Sequence, residues 1–167
     1  QQAIYGKRIK MRSAENIVEE MLYYNRDFGV RKFFIMDDMF TISKSRVAHF
    51  AEIIKENNYD FEYDISARVD FFDEEMSEML TSTGCNLISF GFESGSDRKL
   101  ELMNKKTTRE KNLRAAMLWK KTKRLLLVNI LTAIPGETEE DLALDYSFVK
   151  EVHPTMFYYN WMVPFPG

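Results

Sequence analysis

Five short apolar runs, separated by stretches whose apolar residues recur every three or four positions, constrain the fold of this chain more than any other feature. The runs fall at residues 31–36, 61–70, 86–94, 125–134 and 156–163. Period-two or continuous apolar runs of this length suit strands, and the intervening spacing suits helices. Ser13 caps a first helix carrying Ile17, Val18, Met21, Leu22 and Phe28, which Gly29 closes. Ser43 or Ser45 caps a second, with Val47, Ala51 and Ile54 on one face. Asp73 caps a third, with Met76, Met79 and Leu80 inward and Gly84 at its end. Residues 107–110, TTRE, have capping-box spacing for a helix through Leu113, Ala116 and Met117. Thr138 caps the last, carrying Leu142, Tyr146, Val149 and Val152. The order is helix, then strand and helix four times, then strand. Such alternation predicts an α/β fold with right-handed crossovers and a parallel sheet whose strands are buried on both faces. An eight-stranded barrel needs about 250 residues, so 167 residues with five strands predict an open sheet or part of a barrel, in one domain spanning residues 1–167.

Composition narrows the classes further. With 45% hydrophobic and 14% aromatic residues the chain can bury a sizeable core. A net charge of -3 gives no reason to expect a nucleic-acid partner, and the basic cluster Lys120, Lys121, Lys123 and Arg124 suits a solvated helix end. No apolar stretch approaches the ~20 residues of a membrane helix. Cys85 is the only cysteine, which excludes a disulfide framework and points to a reducing compartment, the cytoplasm. His49 and His153, far apart, make a poor zinc pair. Neither GxGxxG nor a P-loop occurs, so nucleotide binding by those routes has no support.

The polar residues fall in a pattern. In "KFFIMDDMF" four apolar residues, 33–36, suit a strand buried on both faces, yet they run into Asp37 and Asp38, and carboxylates are costly to bury. Arg68 and Asp70 end the second strand, Glu93 and Ser94 the third, and Pro135, Gly136 and Glu137 follow the fourth. In a parallel α/β sheet all these carboxyl ends share one rim, where such folds bind ligands. Each group also has a plainer role: Asp37 or Asp38 as a turn or cap residue, Arg68 as an internal counter-ion, "PGETEED" as a turn with an acidic helix start. "GFESGS" is harder to explain that way, because Gly91 and Gly95 flank a carboxylate on an apolar strand and suggest close approach by a ligand or another backbone.

Taken in order, "KMRSAENIVEEM", "FFIMDDMFT", "SARVDFFDEEMSEMLTSTGCNLISFGFESGSDRKLELMNKKTTRE", "PGETEED" and "VPFPG" resemble the catalytic core of the radical S-adenosylmethionine (radical SAM) superfamily. Within it they most resemble the group that often carries a cobalamin-binding domain. The resemblance implies a partial TIM barrel of (β/α)6 type, in which a 4Fe-4S cluster held by three cysteines cleaves S-adenosylmethionine reductively to a 5′-deoxyadenosyl radical. By position, it implies that Asp37 and Asp38 meet the methionine ammonium and that Glu93, with Ser94, lies near the ribose hydroxyls. It also implies that the stretch from Leu131 through Ala133, Pro135 and Gly136 to Glu137 lies beside adenine, and that Arg68 points toward cofactor or substrate. Cobalamin, an external reductant and a substrate outside the reach of these residues complete the implied set.

The chain departs from that pattern in one decisive respect. The CxxxCxxC loop is absent and Cys85 is misplaced to replace it, so the resemblance implies a fragment lacking strand one and its cluster loop, inactive alone because the iron needs thiolates. The strand at residues 31–36 would then be an unpaired edge that invites dimerisation. Ala133 stands where relatives usually have glycine. Two other readings stand beside this one: a degenerate homologue that binds S-adenosylmethionine or a partner without redox chemistry, and a barrel enzyme that holds magnesium through Asp37, Asp38 and Glu93.

Overall fold

The computed structural model describes residues 10–37 and 39–163. In chain order the elements are α1 (Ala14–Phe28), β1 (Lys32–Ile35), α2 (Lys44–Glu56), β2 (Glu62–Ala67), α3 (Glu74–Thr81) and β3 (Cys85–Glu93). There follow α4 (Asp97–Leu102), α5 (Arg109–Lys120), β4 (Leu125–Thr132), α6 (Glu139–Val152) and β5 (Met156–Trp161). Single 3-10 turns, Phe40–Ile42 and Val69–Phe71, follow β1 and β2. All four strand pairings are parallel and the spatial order is the sequence order, β1-β2-β3-β4-β5.

That order decides what the strand and helix pattern left open. When each right-handed crossover steps to the next strand, every helix lands on the same face of the sheet. The helices accordingly pack as one layer, α1 on α2, α2 on α3, α3 on α5 and α5 on α6. The sheet is therefore a curved wall of a partial barrel, and the expectation of strands buried on both faces is corrected. Burial alternates along β2 and most of β3: Tyr63, Ile65, Ala67, Ile88, Phe90 and Phe92 face the helices, whereas Asp64, Ser66, Ser89 and Gly91 on the other face are half-buried. β1 shows the correction most sharply, since Phe34 is 51% and Met36 86% exposed. Among the described residues β1 pairs with β2 alone.

The core lies between sheet and helices in two aromatic groups. Phe50 contacts Phe40 and Tyr63 edge to face beneath α2. Phe92 stacks on Phe90 and meets Phe148 of α6, while Phe72 bridges Phe90 and Trp119 of α5. Each ring so buried contributes about 1.5–3 kcal/mol over an exposed one. Gly84 makes close packing possible at the entry to β3: its φ is +95°, and a Cβ there would sit 1.9 Å from the Phe61 carbonyl oxygen.

Most predicted caps are present. Ser13, Ser43, Asp73 and Thr138 each accept from the backbone amide three residues on, and Thr138 with Asp141 forms a full capping box. In TTRE the cap is Thr108 rather than Thr107, so Lys111 takes the third helical position and the expected box with Glu110 does not form. Gly84 does not end α3, which stops at Thr81. Phe28 of α1 is 66% exposed instead of inward. Two helices are rotated from their expected faces. α6 turns Asp141, Asp145, Phe148, Val149 and Val152 inward and leaves Leu142 and Tyr146 outside; α5 buries Asn112, Ala115, Ala116 and Trp119, with Leu113 partly buried against the core and Met117 exposed. The short helix α4, with Lys99 and Leu100 buried, is absent from the sequence-based pattern.

Candidate functional site at the carboxyl rim

Parallel strands in sequence order place the ends of β1, β2, β3 and β4 along one rim, so the polar residues expected there do share an edge. They do not share one kind of surrounding. Asp37 folds back on its own chain: its Oδ1 accepts from the Met39 amide at 2.9 Å and its Oδ2 from Arg46 of α2 at 2.8 Å. The Arg46 guanidinium also donates to the Phe40 carbonyl and lies 5.2 Å from the Phe40 ring centre. Thus the first carboxylate of the DD pair has a turn-closing role as well as a rim position; Asp38 lies outside the described residues. Arg68 is half-exposed and pairs with Asp70 two residues on, at 2.5 Å.

Glu93 ends β3 in the left-handed region, at φ +66°. For a non-glycine residue this costs about 1–2 kcal/mol, and the pairing with β4 slips at the same place, between Gly91 and Glu93. The result aims the carboxylate back along the uncovered face, where Oε1 accepts from Lys105 Nζ at 2.8 Å. A Cβ on residue 91 would stand 3.0 Å from that oxygen, so Gly91 leaves room for the Glu93 carboxylate. The close approach inferred from GFESG is in the first instance one within the chain.

Leu131 is half-buried on the uncovered face opposite Asn160 of β5. After it the chain turns at Ala133, φ +59°, and Gly136, φ +84°, with Pro135 and Gly136 exposed. A left-handed backbone favours glycine, so Ala133 holds a conformation unusual for its residue type. Glu137 closes the turn: its carboxylate accepts from the Ala133 amide at 2.8 Å and the Thr132 hydroxyl at 3.0 Å. Burial works to raise its pKa, but Lys99, the Ala133 amide and Thr132 outweigh burial and hold it below the usual range.

Behind the rim lies a polar network that sequence reasoning missed. Ser94 is fully buried; its hydroxyl donates to Asp145 Oδ1 at 2.5 Å and accepts from the Ser96 amide at 2.9 Å. The Gly95 amide donates to the same Asp145 oxygen at 2.7 Å. Lys99, 0% exposed, donates to Asp145 Oδ2 at 2.6 Å and also pairs with Glu137. Ser96 and Arg98 both donate to Asp141, at 2.6 and 2.5 Å, and Arg98 reaches the Gly136 carbonyl at 2.7 Å. Asn112 donates to the carbonyls of Phe92 and Ser94. Gly95 is required by contact here, since a Cβ would meet the Phe148 side chain at 2.3 Å and the Leu144 carbonyl at 2.7 Å. One signal was available: polar residues at 112, 141 and 145 fall at helical spacing with Ala115, Ala116, Phe148 and Val149.

A hydrogen-bonded row crosses the uncovered face, Ser89 accepting from Asn129 at 2.8 Å and Asn129 accepting from Asn160 at 3.3 Å. Asp64 on the same face has its pKa raised by burial, against a hydrogen bond from the Leu87 amide. Cys85 is fully buried in the core, and burial pushes its thiol far up, away from the thiolate a metal would need. Among the described residues no three His, Cys, Asp or Glu side chains gather to hold a metal, and no helix is long and apolar enough to cross a membrane.

Residues 2–149 match the radical SAM superfamily. An uncharacterized methyltransferase of Pyrococcus horikoshii is 29% identical over 163 residues, covering 98% of this chain and 36% of the relative. An anaerobic magnesium-protoporphyrin IX monomethyl ester cyclase of Rubrivivax gelatinosus is 25% identical over 164 residues, covering 97% and 30%. The chain thus spans about a third of the length of these curated relatives. Among solved structures, the methyltransferase TsrM from Kitasatospora setae, with cobalamin and a [4Fe-4S] cluster bound, superposes with a TM-score of 0.79 at 19% identity, over 90% of this chain and 29% of that one. Coproporphyrinogen III oxidase from Escherichia coli gives 0.72 at 16%, over 95% and 40%. At these identities the likeness is one of fold.

Proposed function

The chain belongs to the radical SAM superfamily, and from that membership we propose that it forms the nucleoside-binding part of an enzyme that cleaves S-adenosylmethionine reductively at a 4Fe-4S cluster. Held elsewhere in the whole protein, such a cluster would supply the electron for that cleavage. The cluster does not fit the residues of this chain, because its one cysteine is a buried thiol and three thiolates are needed. The ligands must come from elsewhere in the whole protein, and this chain alone is expected to be inactive.

The rim residues support a place for S-adenosylmethionine itself. The observation that carries the reading is Glu93, a strand-end carboxylate held at a left-handed φ and turned over Gly91 onto the uncovered face, beside Ile130 of the strand that leads into the turn at 133–137. Glu93 would accept from the ribose hydroxyls, and Ser94 would set its place from beneath. Leu131 and the backbone of Ala133, Pro135, Gly136 and Glu137 would flank adenine. Asp37, with Asp38, would accept from the methionine ammonium, and Arg68 would reach toward cofactor or substrate from the end of β2. We extend cobalamin to the whole protein by analogy with TsrM, whose structure holds it; a reductant and a substrate remain its partners, in the cytoplasm. The edge of β1, unpaired among the described residues, supports pairing between copies of the isolated chain.

The test uses the full-length protein, purified without oxygen, reconstituted with iron and sulfide, and given S-adenosylmethionine and a reductant. Formation of 5′-deoxyadenosine or S-adenosylhomocysteine, abolished in Glu93→Ala, is expected. Failure of the cluster to assemble, with no cleavage, would leave a binding role without redox chemistry.

A further inference from the structure

Lys99 stands out once the rim is described. Its ammonium is 0% exposed and sits between two carboxylates from different parts of the chain, Asp145 of α6 and Glu137 of the turn after β4. Each of those carboxylates has a second duty. Asp145 fixes Ser94 and the Gly95 amide, immediately after Glu93. Glu137 fixes Thr132 and the Ala133 amide. One ammonium therefore joins the two segments that hold left-handed non-glycine residues at the rim, Glu93 and Ala133. The neighbouring Arg98 makes a second tie, from α4 to Gly136 and Asp141.

A buried ion pair is weak evidence for stability, because apolar residues of similar volume often do as well. What apolar residues would not do is set the spacing of two loops through directional bonds. Resting on the S-adenosylmethionine reading above, we infer that Lys99 is a positioning residue, a clamp that holds the ribose-side loop at 93–96 and the adenine-side turn at 132–137 in register for the nucleoside. It touches neither the nucleoside nor the reacting atoms. Its effect is confined to the adenosine half of the ligand, since both clamped segments serve that half.

The test compares wild type with Lys99→Met/Asp145→Asn in the full-length protein. The double variant removes the buried ammonium yet leaves Ser94 and Gly95 an acceptor. Calorimetric affinities are measured for S-adenosylhomocysteine and for 5′-deoxyadenosine, with melting temperatures alongside. The clamp predicts a loss of about tenfold, equal for both ligands, in the folded protein, about 1.4 kcal/mol. Val47→Ala, a cavity in α2 away from the network, serves as the stability control and should lower the melting temperature while leaving both affinities unchanged. Should the double variant not fold, Asp145→Asn alone carries the same prediction of an equal loss for both ligands. Wild-type binding with unchanged affinity in the variants overturns the clamp and spares the S-adenosylmethionine reading. Absence of binding by the wild type overturns both.

Discussion

Two parts of the rim solve the same problem differently. At the end of β1, Asp37 is balanced by one arginine: Arg46 is 8% exposed in its side chain and Asp37 27%, and the pair closes a local turn over Phe40. At the ends of β3 and β4, five charged side chains on α4, the 133–137 turn and α6 are linked together, and Lys99, Asp141 and Asp145 are buried almost completely. The first arrangement is local and partly wet on the carboxylate side, so losing Arg46 leaves Asp37 with water and the Met39 amide. The second spans about fifty positions of sequence between Ser94 and Asp145 and is dry around Lys99 and Asp145, so losing either strands a charge.

Removing the buried ammonium should break the comparison most strongly. Lys99→Ala leaves Asp145 and Glu137 without their cation and should destabilise by about 3–5 kcal/mol, read by urea denaturation. Gly95→Ala drives a methyl group into Phe148 and Leu144 and should cost about 1–3 kcal/mol by the same measurement. At the β1 end, Arg46→Ala should cost only about 1–2 kcal/mol, because Asp37 keeps the Met39 amide and gains water. Lys105→Ala should be smaller still, roughly 0.5 kcal/mol, since that pair with Glu93 is partly exposed on both sides.

Acid sharpens the same contrast. Burial would raise Asp141, but Ser96, Arg98 and Thr138 outweigh it, and Asp141 like Glu137 lies below its ordinary value in the folded protein. A carboxylate depressed on folding adds stability above its unfolded pKa, and that stability is lost as pH falls through the folded value. The β3 and β4 side should therefore weaken as pH drops below about 4.5, the ordinary glutamate value. Hydrogen exchange should show the first turn of α6 opening with acid before α2 does; equal loss in both helices would contradict the comparison.

How far the sequence reached follows the same divide. Around β1 and α2 each cue was local, and the strand, the Ser43 cap and the inward Val47, Ala51 and Ile54 could all be found within a few residues. Around α4, α5 and α6 the apolar pattern misled, because Lys99, Asn112, Asp141 and Asp145 occupy positions that a hydrophobic stripe would assign to solvent. Leu142 and Tyr146 then looked like the inner face of α6, one residue out of phase. Glu93 and Glu137 were recognised as rim residues, but their fixed geometry depends on Lys105 and Lys99, which no local spacing pairs with them.

Sequence by itself determined the alternation of strands and helices, most caps and the polar strand ends, because periodicity and capping act over three or four residues. Tertiary structure alone decided that the five strands lie in chain order with every helix on one face, which turns a candidate open sheet into a barrel wall. It also decided which carboxylates face the uncovered side and which sit in a dry network behind it. Those choices depend on contacts between segments up to 51 residues apart, where a buried charge is tolerated only if its partner arrives from another element.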